Sequence, residues 1–175
     1  ADILHFYGGY LHIAALLLFV PKKYLLWCAC GAIAIFHALL YIIPFETGWD
    51  FDTLRYIDFW TLEGFLRNTF YNGWNPIFPW LAYFLLGMFL GRQDWQQAEV
   101  LRKTVVVALV VWVASEGVQL AGTWVSSSEI RFYLTADYLP PFLPIMLSTG
   151  SFGVLIISAS IYIGSKAGSS SALQA

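Results

Sequence analysis

The stretch Asn72–Arg92, N-G-W-N-P-I-F-P-W-L-A-Y-F-L-L-G-M-F-L-G-R, decides the fold of this chain. It opens with turn-forming residues, continues with two prolines that suit the first turn of a helix, and then carries no charge until its final arginine. The apolar run from Pro76 to Gly91 approaches the roughly 20 residues that a helix needs to cross a bilayer core. We interpret the stretch as a transmembrane helix and leave open whether its polar entrance also belongs to a functional site.

The composition is that of a membrane protein. Of the 175 residues, 59% are hydrophobic and only 11% are charged, whereas soluble domains carry about 25% charged residues. A soluble protein of this length has too little interior to bury so much apolar surface. The lipid bilayer is therefore the expected partner, and the lack of a basic patch argues against nucleic acid.

Apolar runs separated by prolines, charges or long loops predict five transmembrane helices, and hence an all-α polytopic bundle. The predicted spans are residues 3–20, 24–43, 76–91, 104–121 and 142–164. Residues 45–75, here called the connecting segment, separate the second span from the third, and its residues 61–68 have the period of a short amphipathic helix. We assign residues 1–166 to one transmembrane domain and expect residues 167–175, rich in Ser, Ala and Gly, to be disordered.

The placement of charge predicts the orientation of these spans. Basic residues collect in alternate loops, and the opposite loops are rich in acids. Because basic loops face the cytoplasm, the chain is expected to begin outside and end inside. The basic residues that fix this orientation are Lys22, Lys23, Arg92, Arg102, Lys103 and Lys166.

Three polar side chains within the predicted spans are catalytic candidates. Glu116 lies inside the fourth span, and an ionised carboxylate in hydrocarbon is costly unless it faces a bundle interior or a water cavity. His5 and His37 are expected at a similar depth, and a carboxylate near an imidazole makes a workable general base. In the alternative interpretation, all three are structural and bond to neighbouring helices, as we expect for His12. Gln119 is expected to share a helix face with Glu116.

Polar residues that precede the third span are candidates for substrate binding. They could hold an anionic or hydroxylated group at the outer face, although an arginine here could instead reach toward lipid headgroups. No metal is expected, since the sequence has no zinc-spaced set of Cys and His residues. The candidates are Arg67, Asn68, Asn72 and Asn75.

Three segments resemble a known family. They are D-I-L-H-F-Y-G at residues 2–8, G-F-L-R-N-T-F-Y-N-G-W-N-P-I-F-P-W-L-A-Y-F-L-L-G-M-F-L-G-R at residues 64–92, and Y-L-P-P-F-L-P-I-M-L-S-T-G at residues 138–150. They are similar to the bacterial multi-span acyltransferase-like proteins, which include the YeiB-type group and relatives of heparan-alpha-glucosaminide N-acetyltransferase. His5 matches a position of this family, and the N-G-x-x-P-x-F-P-W-L block is its most specific motif here.

The resemblance implies an activity and a location. Cytosolic acyl-CoA, such as acetyl-CoA, would serve as co-substrate, and an extracytoplasmic sugar or other hydroxyl or amine would accept the acyl group across a bacterial inner membrane. It also implies additional N-terminal transmembrane helices, which carry an arginine-bearing motif and the proposed catalytic histidine of the family. We therefore expect this chain to be the C-terminal portion of a longer protein.

Two other classes of function stay open. Intramembrane Glu and His also mark proton paths, and a helix broken near Pro76 and Pro79 would suit the substrate site of a proton-coupled transporter. A non-catalytic membrane subunit is the third class, for which alanine at Glu116 and at the three histidines would affect stability alone.

Overall fold

A computed structural model describes residues 3–135 and 138–168 of the chain. Within these residues the protein is mostly helical, which confirms the predicted class, and the chain divides into two compact units between Arg92 and Gln93. Of the predicted tail, residues 167 and 168 end the last helix, and residues 169–175 lie outside the described residues.

The first unit is built on three apolar helices: α1 (Leu4–Leu16), α2 (Lys22–Ile42) and α4 (Ile77–Leu90). Small residues on α2 and α4 allow the two backbones to approach closely, as helices in membranes commonly do. The shared core consists of Phe6, Tyr10, Leu25, Ala29, Ala32, Ile77, Leu81, Ala82 and Leu85.

Helix α1 ends earlier than the apolar run predicts, and Arg92 explains how its end is stabilised. Residues 17–20 form hydrogen-bonded turns before Pro21. The Arg92 guanidinium donates to the carbonyl oxygens of Val20, Leu18 (2.7 Å) and Leu17 (3.3 Å). These are carbonyls that a helix end leaves without partners in its own backbone. The ends of α1 and α4 therefore lie together, so these two helices run in the same direction.

Helix α4 is irregular at its start, near Pro76 and Pro79. Phe78 has non-helical dihedral angles (φ −96°, ψ 124°), because a residue that precedes a proline is disfavoured in the helical region. The Tyr10 hydroxyl donates to the carbonyls of Asn75 (2.5 Å) and Pro76 (3.2 Å), which fixes this entrance against α1.

The connecting segment is folded throughout its length. It contains a two-stranded antiparallel hairpin, β1 (Trp49–Asp50) and β2 (Arg55–Tyr56), then helix α3 (Leu62–Arg67) and a π-helical turn (Asn68–Asn72). Helix α3 confirms a short helix within the predicted residues 61–68, and Thr61 caps it by accepting a hydrogen bond from the Gly64 backbone amide at 3.0 Å. The hairpin and the π-helical turn were not predicted.

The second unit contains α5 (Ala98–Gly122), α6 (Ser128–Leu134) and α7 (Leu143–Gly168), with α5 packed along α7. Helix α5 begins within the stretch predicted as a polar loop. Its first turns are stabilised by Glu99, which pairs with Arg102 (2.6 Å) and Lys103 (3.4 Å) one turn further on. The polar connector is therefore shorter than predicted.

Three of the described helices are long and apolar enough to cross a membrane: α2, α5 and residues 143–166 of α7. Helices α1 and α4 have only 13 and 14 residues. The structure thus supports three candidate spans and does not by itself establish the predicted five.

Candidate functional site

The connecting segment is organised around Asn72, which is completely buried. Its amide nitrogen donates to the carbonyls of Phe45 (2.7 Å) and Thr47 (2.8 Å), and its side-chain oxygen accepts from the Tyr56 hydroxyl (2.7 Å). The Trp49 indole also donates to the Asn72 backbone carbonyl at 2.5 Å. This side chain is therefore occupied by protein partners that join the hairpin to the π-helical turn.

Arg67 is engaged as fully as Asn72. Its guanidinium donates to Asp58, to Glu63 (2.9 Å) and to the Tyr56 hydroxyl (2.9 Å). Burial lowers the pKa of Arg67, but the hydrogen bonds to Asp58 and Tyr56 outweigh it, so the pKa lies above its ordinary value. The Asp58 pair matters most, because the Glu63 side chain is 87% exposed and screened by solvent.

The Tyr56 hydroxyl connects these two residues. It accepts from Arg67 and donates to Asn72, so two predicted binding residues share one network. Burial raises the pKa of Tyr56, and the Arg67 hydrogen bond opposes this rise. The tyrosine therefore remains a neutral donor at physiological pH.

Gly48 allows the hairpin to pack against the Arg67–Asp58 ion pair. It has a φ of +83°, and a Cβ atom there would lie 2.7 Å from Arg67 Nη2 and from Asp58 Oδ1. Glycine is the residue that adopts this backbone region without steric cost. The close packing leaves Asp58 Oδ1 buried with no hydrogen-bond partner within the described residues.

The other two predicted binding residues, Asn68 and Asn75, have no side-chain hydrogen bond recorded within the described residues. Asn68 is 4% exposed. Its side-chain oxygen lies near Gly73, where an added Cβ atom would come within 2.9 Å of it and 2.7 Å of the Phe6 ring. Asn75 is half-buried, and its backbone carbonyl accepts from Tyr10.

His5 lies among aromatic rings from α1 and the connecting segment. Its ring centroid is 3.8 Å from that of Phe6, 5.7 Å from that of Phe59 and 6.0 Å from that of Phe65. The start of α1 therefore packs beside α3, which brings His5 to the end of the unit that carries the predicted binding residues.

His37 lies on α2, next to a second aromatic group. Its Nδ1 atom is 2.9 Å from the Ile33 carbonyl oxygen, and because a carbonyl only accepts, we infer that Nδ1 carries the proton. In the neutral ring Nε2 is then the basic atom. The neighbouring Phe36 ring packs against Phe45 and Tyr71, so His37 also lies toward the connecting segment.

Glu116 belongs to the second unit, where it accepts a hydrogen bond from the Ser148 hydroxyl of α7. Glu116 is exposed, whereas Ser115 and Gln119 are buried and bond within α5. Glu116 contacts α7 through Ser148, and the shared face of Glu116 and Gln119 stays a prediction.

The first unit thus gathers six predicted residues near the connecting segment, but Arg67 and Asn72 are held by residues that sequence reasoning did not single out. Those residues are Trp49, Tyr56 and Asp58. Their partners are distant in sequence, so only the unusual density of aromatics between residues 49 and 74 indicated a folded segment.

A comparison with protein-family models identifies the family. The model described as "Heparan-alpha-glucosaminide N-acetyltransferase, catalytic" matches residues 2–134, which is more than half of the chain. The chain belongs to this family. No curated protein and no solved structure matches the chain. Together with the three apolar helices, the family indicates an acetyltransferase-like integral membrane protein.

Proposed function

We propose that the complete protein transfers an acyl group, in the first instance acetyl, from cytosolic acyl-CoA to an extracytoplasmic acceptor. The family match over residues 2–134 carries this proposal. The acceptor is a small molecule or a glycan with a reactive hydroxyl or amine. Acetyl-CoA acts as co-substrate, and no metal takes part.

We further propose five spans in the bacterial inner membrane, in which α1 and α4 also cross the bilayer. Arg92 brings the ends of α1 and α4 together, and His5 packs against the connecting segment at the opposite end. This arrangement agrees with alternating loops. The connecting segment then faces outward and residues 21–23 face the cytoplasm.

In this proposal His5 and His37 are the candidate bases of the first unit. Histidine as general base contributes roughly 10²–10⁴-fold to rate. Asn68 and Asn75 contact the acceptor, while Arg67 and Asn72 hold the connecting segment in shape. Glu116 contributes polarity within the second unit, and its hydrogen bond to Ser148 keeps the carboxylate in one orientation. The further N-terminal helices implied by the resemblance stay a prediction.

The test is acetyl transfer by the complete protein in vesicles that contain labelled acetyl-CoA inside and glucosamine outside. His5→Gln and His37→Gln should each be compared with His12→Gln. His12 is the matched control because it is exposed and its Nδ1 also bonds its own helix, 2.6 Å from the Gly8 carbonyl. We expect a loss of about 100-fold or more for the base and little change for the control.

Two results would separate the alternatives. If all three glutamine variants retain transfer, neither histidine of this chain is the base. Proton-coupled transport is the second candidate, because α4 is broken at Phe78 as substrate-binding helices of transporters are. Substrate-dependent proton uptake without an acetylated product would favour it.

A further inference from the structure

The hydroxyls of Thr69 and Ser158 are the two helical hydroxyls within the described residues that are buried without a hydrogen-bond partner, and only that of Thr69 lies in the connecting segment. Thr69 is 7% exposed, and its Oγ1 has no hydrogen-bond partner within the described residues. Helical Ser and Thr usually donate to a backbone carbonyl one turn earlier, as Ser115 and Thr149 do here at 2.8 Å. The corresponding carbonyl for Thr69, that of Phe65, already accepts from the Asn68 amide. A buried hydroxyl without a partner is costly, so it calls for an explanation.

Asn68, which precedes Thr69, is equally buried. The structure records no side-chain hydrogen bond for Asn68 among residues 3–135 and 138–168, in contrast to the three made by Asn72. Both residues belong to the π-helical turn Asn68–Asn72, and single turns of this kind recur at functional sites. One turn therefore holds two consecutive buried polar side chains with unused hydrogen-bonding capacity.

The charges around this turn argue for an uncharged ligand group. Arg67 is already bonded to two carboxylates and a tyrosine. The connecting segment holds five acids (Glu46, Asp50, Asp52, Asp58 and Glu63) against Arg55 and Arg67, which gives 2 − 5 = −3. A phosphate, sulfate or carboxylate would meet a net negative segment whose buried arginine is occupied.

We propose that Asn68 and Thr69 form a subsite that hydrogen-bonds an uncharged hydroxyl or amide of the acceptor and discriminates against anionic groups. This subsite rests on the proposed acyl transfer, because the acceptor is defined by that reaction. In this proposal Arg67 does not bind an anionic group of the acceptor, as the sequence suggested. Instead, Asn68 and Thr69 bind an uncharged group through hydrogen bonds. Thr69 is thereby a specificity-determining residue.

The test measures binding without acyl-CoA, so it does not depend on transfer. The complete protein in detergent is titrated with methyl glucoside, N-acetylglucosamine and glucose 6-phosphate, and both affinity and melting temperature are recorded. The variant is Thr69→Val, which keeps the shape and removes the hydroxyl. Thr149→Val, which removes an exposed hydroxyl bonded within its own helix, is the matched control.

We expect Thr69→Val to weaken binding of a neutral sugar about 10-fold and to raise the melting temperature of the free protein, because an unpaired buried hydroxyl is lost. The phosphorylated sugar should bind more weakly than its neutral counterpart. Asn68→Leu should weaken neutral binding as well, and the control should change neither quantity.

Two results would overturn the proposal. One is unchanged sugar affinity in Thr69→Val; if the melting temperature is also lowered, the hydroxyl bonds a structural water. The other is tighter binding of glucose 6-phosphate than of the neutral sugars. Neutral binding that depends on Thr69, in a protein that transfers no acetyl group, would support the subsite and refute the proposed transfer alone.

Discussion

Replacing Asn72 with alanine is expected to open the connecting segment while leaving the apolar helices folded. The change removes two amide donors and one acceptor, and so leaves the Phe45 and Thr47 carbonyls and the Tyr56 hydroxyl without a partner. The bond to Phe45 is buried, and the other two are partly buried. An unsatisfied buried group costs about 1–3 kcal/mol. With about 2 kcal/mol for Phe45 and about 1 kcal/mol for each of the others, the expected loss is about 4 kcal/mol.

Limited proteolysis measures this loss locally. When opening and reclosing are fast relative to cleavage, the cleavage rate follows the population of the open form. Every 1.4 kcal/mol is a factor of ten, so about 4 kcal/mol should raise chymotrypsin cleavage at the aromatics of residues 45–75 by roughly 1000-fold. The Trp49 indole bond to the Asn72 backbone remains possible in the variant, so the measured factor can fall somewhat below this value.

Asn75→Ala is the matched control. Asn75 lies in the same segment, and its recorded hydrogen bond uses the backbone carbonyl, which alanine retains. Cleavage of Asn75→Ala should resemble that of the unaltered protein. If Asn72→Ala is cleaved no faster than Asn75→Ala, the network around Asn72 does not hold the segment, and the reasoning fails.

Three more substitutions test other contacts of the first unit. Gly48→Ala should lower the melting temperature, because positive φ costs a non-glycine residue roughly 1–2 kcal/mol and the added Cβ would collide with the Arg67–Asp58 ion pair. Gly31→Ala is the control, because an added Cβ there meets no atom within 4 Å. Equal melting temperatures of the two variants would contradict the close packing of Gly48 against the ion pair. Arg92→Gln should destabilise by about 2–3 kcal/mol in thermal denaturation, because charged hydrogen bonds to three carbonyls are lost. Arg102→Gln is the control, because Arg102 is exposed. If the two variants are destabilised equally, Arg92 does not stabilise the end of α1. Burial raises the pKa of Tyr71 to about 12, so its contribution to stability is complete below about pH 10 and is lost as pH rises toward 12. Between about pH 10 and about pH 12 the melting temperature should fall less in Tyr71→Phe than in the unaltered protein. If the two proteins show the same dependence of melting temperature on pH, ionisation of Tyr71 does not cause the loss.

The helices of this protein were predictable because their signals are local. The apolar runs that became α2, α5 and α7 each exceed the length of ordinary buried helices, and prolines or charges mark their limits. Helix α3 was equally accessible, since Leu62, Phe65 and Leu66 follow a threonine cap at the i, i+3, i+4 spacing of a helix. Such features depend on residues a few positions apart, which a single sequence displays directly.

The hairpin and the π-helical turn could not be predicted in the same way. Strands of two residues are too short to show a period, and a π-helical turn has no distinct composition. Both depend on contacts such as Trp49 to Asn72 and Asn72 to Phe45, which are 23 and 27 residues apart. The polar candidates could be picked out from the sequence. Which of them are held by other protein groups, and which can contact a ligand, depends on these long-range contacts.

The length of α1 illustrates why counting apolar residues overestimates the length of a helix. Its 13 residues rise about 20 Å, short of the roughly 30 Å of a hydrocarbon core. Non-helical backbone is tolerated at membrane depth only where its polar groups are satisfied within the protein. Residues 17–20 meet that condition through Arg92, which lies 72 residues from Val20. The turns can therefore extend the reach of α1, so a short helix is compatible with the proposed fifth span, provided that the arginine remains in place.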